Sequence, residues 1–465
     1  MASIFKKNKL SFSEFPSPTV RDWENQIASD LKGEDYTVKF NWHTHEGISH
    51  LPFYKNEDNY ITQTAIPPLS DWKISQHISA TNCKSANKLA LHALESGASS
   101  LYFDLPSNAI ASANDLNILL DEIILDILTI HFSESLSQPE HLEIIQAFIA
   151  EQSTSGKSLD FKFNSDPFAN ALNTGKLLSK SNFNTDTNLN SLAVNAHFYG
   201  NVGATMVDQL AFAAATGNEY LGFSNNADQA AQQIHYNFAV ASNYFLEIAK
   251  LRAFRLIWSQ ILETYQEGLS QNYPAYIHAH TATLNASLKD PHNNILRATT
   301  EAMSAAIGAA DAITIIPFDD IYNEENSFSD RVARNIQLIL KEEAYFDKVA
   351  DPSAGSYYIE HLTTHLAEEA WKVFPEIEKN GGFYNSIKNG FVQKRVKVAQ
   401  QARMKAAKNG ELILLGVNKH PAKNEEAYKP RSKPEANKAP QEPYIEIEKL
   451  TELRIAEAFE TEALS

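Results

Sequence analysis

The sharpest metal-binding spacing in this chain is Glu360-His361 with His365, which places two imidazoles at i and i+4 on one helical face. A zinc protease with that spacing also needs Glu directly after the first His; Leu362 stands there, so the pair reads as a solvated helix face. His43 and His45 alternate along an extended segment, have no third ligand nearby in sequence, and read as exposed. Cys83 is the only cysteine, which excludes an internal disulfide and any cysteine-built zinc or iron–sulfur site. The remaining polar candidates stand at the ends of short apolar runs: Ser75-Gln76-His77, Ala196-His197-Phe198 and His280-Thr281-Ala282-Thr283. Groups at the C-terminal ends of barrel strands can hydrogen-bond a substrate, so their meaning depends on whether those runs are barrel strands.

The elements that would position them alternate. From about residue 72, apolar strand candidates separated by helical patterns recur at 73–79, 100–104, 127–132, 159–163, 192–198, 219–223, 275–280 and 312–317. Eight such runs are what a (β/α)8 TIM barrel requires, an α/β fold. Residues 290–371 are the clearest stretch. Ile295, Met303, Ala306 and Ile307 recur at helical spacing after an Asp-Pro start, with Asp290 as the expected N-cap; Ser327 and Asp330 have capping-box spacing; and Ile359, Leu362, Leu366 and Val373 form a stripe after a Pro/Gly turn. The run from Asn225 to Gln266 contains neither Gly nor Pro, which predicts a long or paired helical excursion.

Outside the barrel, residues 1–60 read as an N-terminal arm, with a helix over 19–31 and an extended Tyr36–Trp42. The barrel domain spans 61–416. Between 417 and 443 five prolines among Lys, Glu, Asn and Ala leave almost nothing apolar to bury, the composition of a linker. Residues 444–465 read as one C-terminal helix carrying Leu450, Leu453 and Ile455.

Composition bounds the function classes. A formal charge of −17 argues against a nucleic-acid surface, which needs clustered Lys and Arg, and no apolar run approaches the ~18 residues of a membrane span. Lys6, Lys7 and Lys9 are not followed by the apolar stretch of a secretory signal, so the chain reads as cytoplasmic.

Several motifs in one order carry a family resemblance: KLRAFRLIW from Lys250, ATTEAMSAAIG from Ala298, RVARNIQLILKEE, KVADPSAGSYYIE, LAEEAW, EIEKNGG and LGVNK. Over about residues 22–419 the chain resembles the acyl-CoA-binding barrel of the methylmalonyl-CoA mutase family. The resemblance implies an acyl-CoA barrel whose active members carry Arg-Gln-Tyr at the end of the first strand, where this chain has Ser75-Gln76-His77, so that His77 replaces the tyrosine between substrate and cobalamin. It implies a histidine donor to the thioester oxygen after the fifth strand; aligned on Gly203-Ala204-Thr205, Phe198 takes that position, and losing one such donor typically costs on the order of 10²–10³ in rate. His197 would substitute only by a one-residue shift. An arginine for the substrate carboxylate is expected after the fourth strand, where residues 164–175 hold none, and Ala282 replaces a family glutamine. Arg331, Arg334, Asp351 and Tyr357 match the family in helices and turns, where they are expected to hold the fold.

Cobalamin binding in the family needs a flavodoxin-like domain with Asp-x-His-x-x-Gly. Only His292 has an Asp two residues before it, position 295 is Ile, and the chain ends where that domain would begin. The resemblance with these losses implies no catalytic, cofactor or metal residues in this chain. It implies a non-catalytic subunit in a heterodimer with the family's large subunit, which would hold the adenosylcobalamin, and an arm that wraps that partner. Two alternatives stay open: an active barrel served by a separate cobalamin-binding chain, and a stand-alone scaffolding barrel.

Overall fold

The computed structural model describes residues 19–44, 46–52, 54, 71–154, 159–180, 192–324, 326–422, 428–431 and 443–460. They fall into two compact units, Met1–Lys55 and Asn56–Ser465. In the first, Thr19 opens helix Val20–Asp30 by a reciprocal capping box with Asp22. No residue of that helix is buried. Tyr36–Phe40, expected as extended, is a short helix, because the Asp35 carboxylate accepts the Thr37 N–H at 2.8 Å and starts a turn. Extended chain begins only at Trp42–His43, which pairs with Ser49–His50. Trp42 stacks on His50 yet stays exposed, as do Trp23 and Phe40. Phe53 and His45 lie outside the described residues.

The second unit is an eight-stranded parallel sheet, nearly closed into a barrel, with helices around it. Its strands are β1 Lys73–Ser79, β2 Ser100–Asp104, β3 Thr129–Phe132, β4 Asp160–Phe163, β5 Leu192–Val194, β6 Ile234–Val240, β7 Ile277–Thr281 and β8 Ala312–Thr314. They run β4-β3-β2-β1-β8-β7-β6-β5, so the ladder is open only between β4 and β5. That seam is crossed just beyond the strand ends. The Ala193 N–H donates to Ser165 O (3.3 Å), and the Asn195 N–H and amide donate to the Asp166 carboxylate (2.7 Å) and Asn164 O (3.2 Å). Asp166 also caps helix Pro167–Thr174 and accepts the Tyr220 hydroxyl at 3.0 Å, so one buried side chain ties strand seam, helix start and outer helix together.

Three expectations are corrected. The sixth strand is β6, and residues 219–223 end helix Met206–Phe223, which is buried nearly all round and therefore shows no one-sided apolar stripe. The run 225–266 accordingly holds a short helix, β6 and helix Tyr244–Tyr265; Asn226 supplies the turn that no Gly or Pro marks, its side chain accepting the Asp228 and Gln229 N–H groups. The C-terminal helix is replaced by strand Tyr444–Glu446, paired with Lys176–Leu178, an extended stretch, and a helix of only Glu457–Glu460. The N–H groups of Ile447, Leu450, Leu453 and Ile455 go to Gly175, Leu172, Asn201 and Leu284 carbonyls instead of up their own chain.

Two helix starts also move. Asn326, not Ser327, caps Ser327–Leu338, and His292, not Asp290, precedes Asn293–Ile307. Of the stripe expected on the first of these, Ile336 and Leu340 are buried and Ile339 is exposed, because a π turn over Ile339–Glu343 shifts the helical phase.

Candidate functional site

The barrel interior is built from alternate residues of its strands, as the period of two requires. His131 on β3, His235 and Asn237 on β6, and His278 and His280 on β7 are all buried. Their rings form one column. His131 and His278 lie 4.2 Å apart between ring centres, His278 and His280 4.1 Å, and His280 and His197 5.4 Å. Tyr102 on β2 stands against it, with ring centres 5.6 Å from His77, 5.6 Å from His280, 6.1 Å from His278 and 6.4 Å from His131.

The electrostatics of the column follow from burial. Desolvation lowers His131, His278 and His280 well below the ordinary imidazole range, and neighbouring imidazoles push the same way. Burial takes His235 down to about 3, with Lys162 adding to the effect, and His197 to about 4, partly opposed by Glu452. The column is therefore neutral at pH 7. His278 Nε2 lies 2.8 Å from Thr314 Oγ1 and His235 Nε2 3.1 Å from Asn164 Oδ1. His131 Nδ1, His235 Nδ1, His278 Nδ1, His280 Nε2 and His197 Nδ1 have no hydrogen-bond partner among the described residues. The rings are tilted against one another, by 45°, 38° and 31° along the column, and among the described residues no three His, Cys, Asp or Glu side chains are grouped to hold a metal ion.

At the mouth the groups are acidic. His77 Nε2 lies 3.5 Å from Asp104. Burial raises Glu134 to about 8, with Asp166 adding to the effect. After β4 the chain presents Asn164, whose Oδ1 accepts from the Asn237 amide (2.9 Å), and the buried carboxylate of Asp166. A guanidinium there would grip a substrate carboxylate with two parallel bonds. An acid and an amide already engaged across the seam cannot.

The sequence candidates fall as follows. β5 ends at Val194, and residues 196–201 form a helical turn, so strand alternation does not decide which of His197 and Phe198 faces the axis. His197 is the ring that meets the column, while Phe198 is buried with its ring centre 6.1 Å from Tyr199. Ala282 donates its N–H to Val240 O and borders a cavity of about 30 Å³ beside Arg297, Glu301 and Phe318, room for little more than water. Arg334 reaches Gln76 Oε1 (3.0 Å) and Ser96 O, and Asp351 pairs with Arg252, so both hold elements together. His361 is buried, not solvated, with its ring 3.9 Å from that of His365. His292 lies against Phe318, and Asp290 accepts from the Asn293 amide at 2.7 Å.

Tyr102, His131, His235 and His278 were not singled out by sequence reasoning. For the histidines the signal was present: IHYNFAV, IHAHT and TIHF each place His at a single strand parity.

A sequence profile of methylmalonyl-CoA mutase matches residues 107–464. The chain is similar to the methylmalonyl-CoA mutase small subunit of Porphyromonas gingivalis, 36% identical over 447 residues that cover 90% of this chain and 72% of the relative. It is 28% identical to the small subunit of Propionibacterium freudenreichii subsp. shermanii, covering 88% and 69% respectively. Against the methylmalonyl-CoA mutase of Rhizobium meliloti it is 29% identical, and it spans 65% of that relative's length.

Proposed function

Because the chain belongs to the methylmalonyl-CoA mutase family, we propose that it is the smaller, non-catalytic subunit of a heterodimeric, adenosylcobalamin-dependent mutase interconverting succinyl-CoA and methylmalonyl-CoA. Cofactor and substrate then belong to the larger subunit. The observation that carries this reading is the barrel axis: four rings at successive centre distances of 4.2, 4.1 and 5.4 Å stand where a thioester and its pantetheine arm need open space. The small-subunit names of two relatives point the same way.

Adenosylcobalamin does not fit the residues described. A lower cobalt ligand needs an imidazole oriented by a carboxylate. His292, the one histidine with an Asp two residues before it, rests on Phe318, and Asp290 is turned to Asn293. Titrating the isolated chain with adenosylcobalamin is expected to leave the cobalamin absorbance unchanged; stoichiometric binding with a histidine-ligated cobalt spectrum would overturn the proposal.

The chain is expected to co-purify 1:1 with an untagged larger mutase subunit. Deleting residues 1–60 is expected to weaken that complex more than it lowers the melting temperature of the barrel. The arm exposes Trp23, Phe40 and Trp42, apolar surface of the kind that anchors interfaces. Unchanged association after the deletion would show that the arm is not the partner contact. No described helix is long and apolar enough to cross a membrane, in keeping with a cytoplasmic enzyme subunit.

A further inference from the structure

The chain beyond the barrel lies across the barrel's own mouth. Ligands enter barrels of this class at the C-terminal ends of the strands, and residues 444–460 run over those ends on one side. They pair with Lys176–Leu178 beyond β4, donate from Leu453 N–H to Asn201 O (2.9 Å) after β5, and donate from Ile455 N–H to Leu284 O (3.0 Å) after β7. Leu453 and Ile455 pack with Ala282 and Leu284, and Leu450 and Ile455 are buried. Gly203 seats the crossing, since a Cβ there would stand 3.3 Å from Leu453 Cδ2 on a backbone with φ +82°.

The crossing is fastened at its far end by one carboxylate. Glu460 accepts the Leu288 N–H of the barrel at 2.8 Å and, within the segment itself, two Arg454 guanidinium bonds at 3.0 and 2.7 Å that hold this guanidinium for its own bond to Ala286 O of the barrel (3.3 Å). Glu460 is 9% exposed, so these charge-assisted bonds are little screened. A second contact covers the opposite side of the mouth. The Arg431 N–H donates to Ile321 O (2.8 Å) in the loop after β8, its guanidinium meets Asp320 (3.2 Å), and Tyr428 packs on Tyr322.

We propose that residues 444–460 are an intramolecular strap, latched by Glu460, that closes the barrel mouth and governs access to the histidine column. His197 and His280 lie directly beneath it: His197 belongs to the same turn as Asn201, and Ala282 and Leu284 follow β7. The inference rests on the fold and stands whether or not the chain is catalytic.

Carbethoxylation of the full-length chain by diethyl pyrocarbonate, read site by site by mass spectrometry, tests it. In Glu460→Ala the labelling rates of His197 and His280 are expected to rise about tenfold or more, the change in opening expected when charge-assisted bonds are lost. Glu448→Gln, in a half-exposed pair with Lys397, should leave them unchanged. Rates equal to the unmutated chain in folded Glu460→Ala would overturn the strap. Should that variant unfold, native-state amide exchange of the unmutated chain decides. Amides of 447–455 opening together and before those of β7 support the strap; opening only with β7 overturns it.

Discussion

Acidification below about pH 6 is expected to destabilise the barrel steeply, with a stability maximum at about pH 6–6.5. The five column imidazoles have folded pKa values below the unfolded one, so below about 6.5 the unfolded chain binds protons that the folded chain refuses. Their contribution is complete above that pH and is lost as pH falls toward the folded values of about 3 for His235 and about 4 for His197. Buried acids oppose this. Glu134 is raised to about 8, Asp330 to about 6, and Asp166 and Glu301 are raised as well, so each gains stability as pH falls toward its unfolded value.

Each fully buried group contributes about 1.4 kcal/mol per pH unit within its window. Four imidazoles, His131, His235, His278 and His280, stand buried against two buried acids, Asp166 and Glu301. His197 on one side and Glu134, Asp330 and Glu378 on the other are partly exposed and count for less. The net loss is on the order of 1–2 kcal/mol per unit below pH 6. Over the two units from pH 6 to pH 4 that removes about 2–4 kcal/mol, a large share of a total stability of about 5–15 kcal/mol. Denaturant melts across pH 4–8 measure it, and His278→Asn should flatten the acid limb by about one imidazole's share. A curve indifferent to that substitution would mean that the column is solvated and not buried.

Removing Arg252 is expected to be the most damaging single truncation. Its guanidinium, fully buried on helix Tyr244–Tyr265, pairs with Asp351 in the loop before helix Tyr357–Lys379 and with Glu360 in the first turn of that helix (2.8 Å). Glu360 in turn accepts the Gly355 N–H at 3.0 Å, so the cation holds loop and helix start against the barrel wall. In Arg252→Ala two carboxylates are left without their cation, and breaking such a buried set typically costs about 3–5 kcal/mol. Chemical denaturation should show that loss. Adding Glu360→Gln should return part of it, since one orphaned charge is then removed. If Arg252→Ala costs less than about 1 kcal/mol, water reaches the set and its burial is not real.

The barrel class was legible because strand and helix periods are local properties. Lys73–Ser79 and Ser100–Asp104 were bounded correctly from apolar runs and flanking polar residues alone. The sixth strand was not. A helix such as Met206–Phe223, buried nearly all round, and a strand carrying His235 and Asn237 in its interior parity each violate the pattern that identifies its kind. Residues 444–460 failed for a related reason: Leu450, Leu453 and Ile455 have helical spacing, but their N–H groups find partners on the barrel.

By itself the sequence determined the family, seven of the eight strand–helix repeats, and which side chains are absent from the strand ends: no arginine in 164–175, alanine at 282, histidine at 77. Those are statements about residue type and order, which folding does not alter. Only the tertiary structure decided that His197 and not Phe198 meets the axis, that imidazoles from β3, β6 and β7 come together in one column, and that the chain's own C-terminal segment lies over them. The physical reason is range. A strand's parity is set by its neighbours in sequence, whereas what its inward side chains face is set by closure of the barrel, which brings residues about a hundred or more positions apart into contact and removes the water that would have kept them charged.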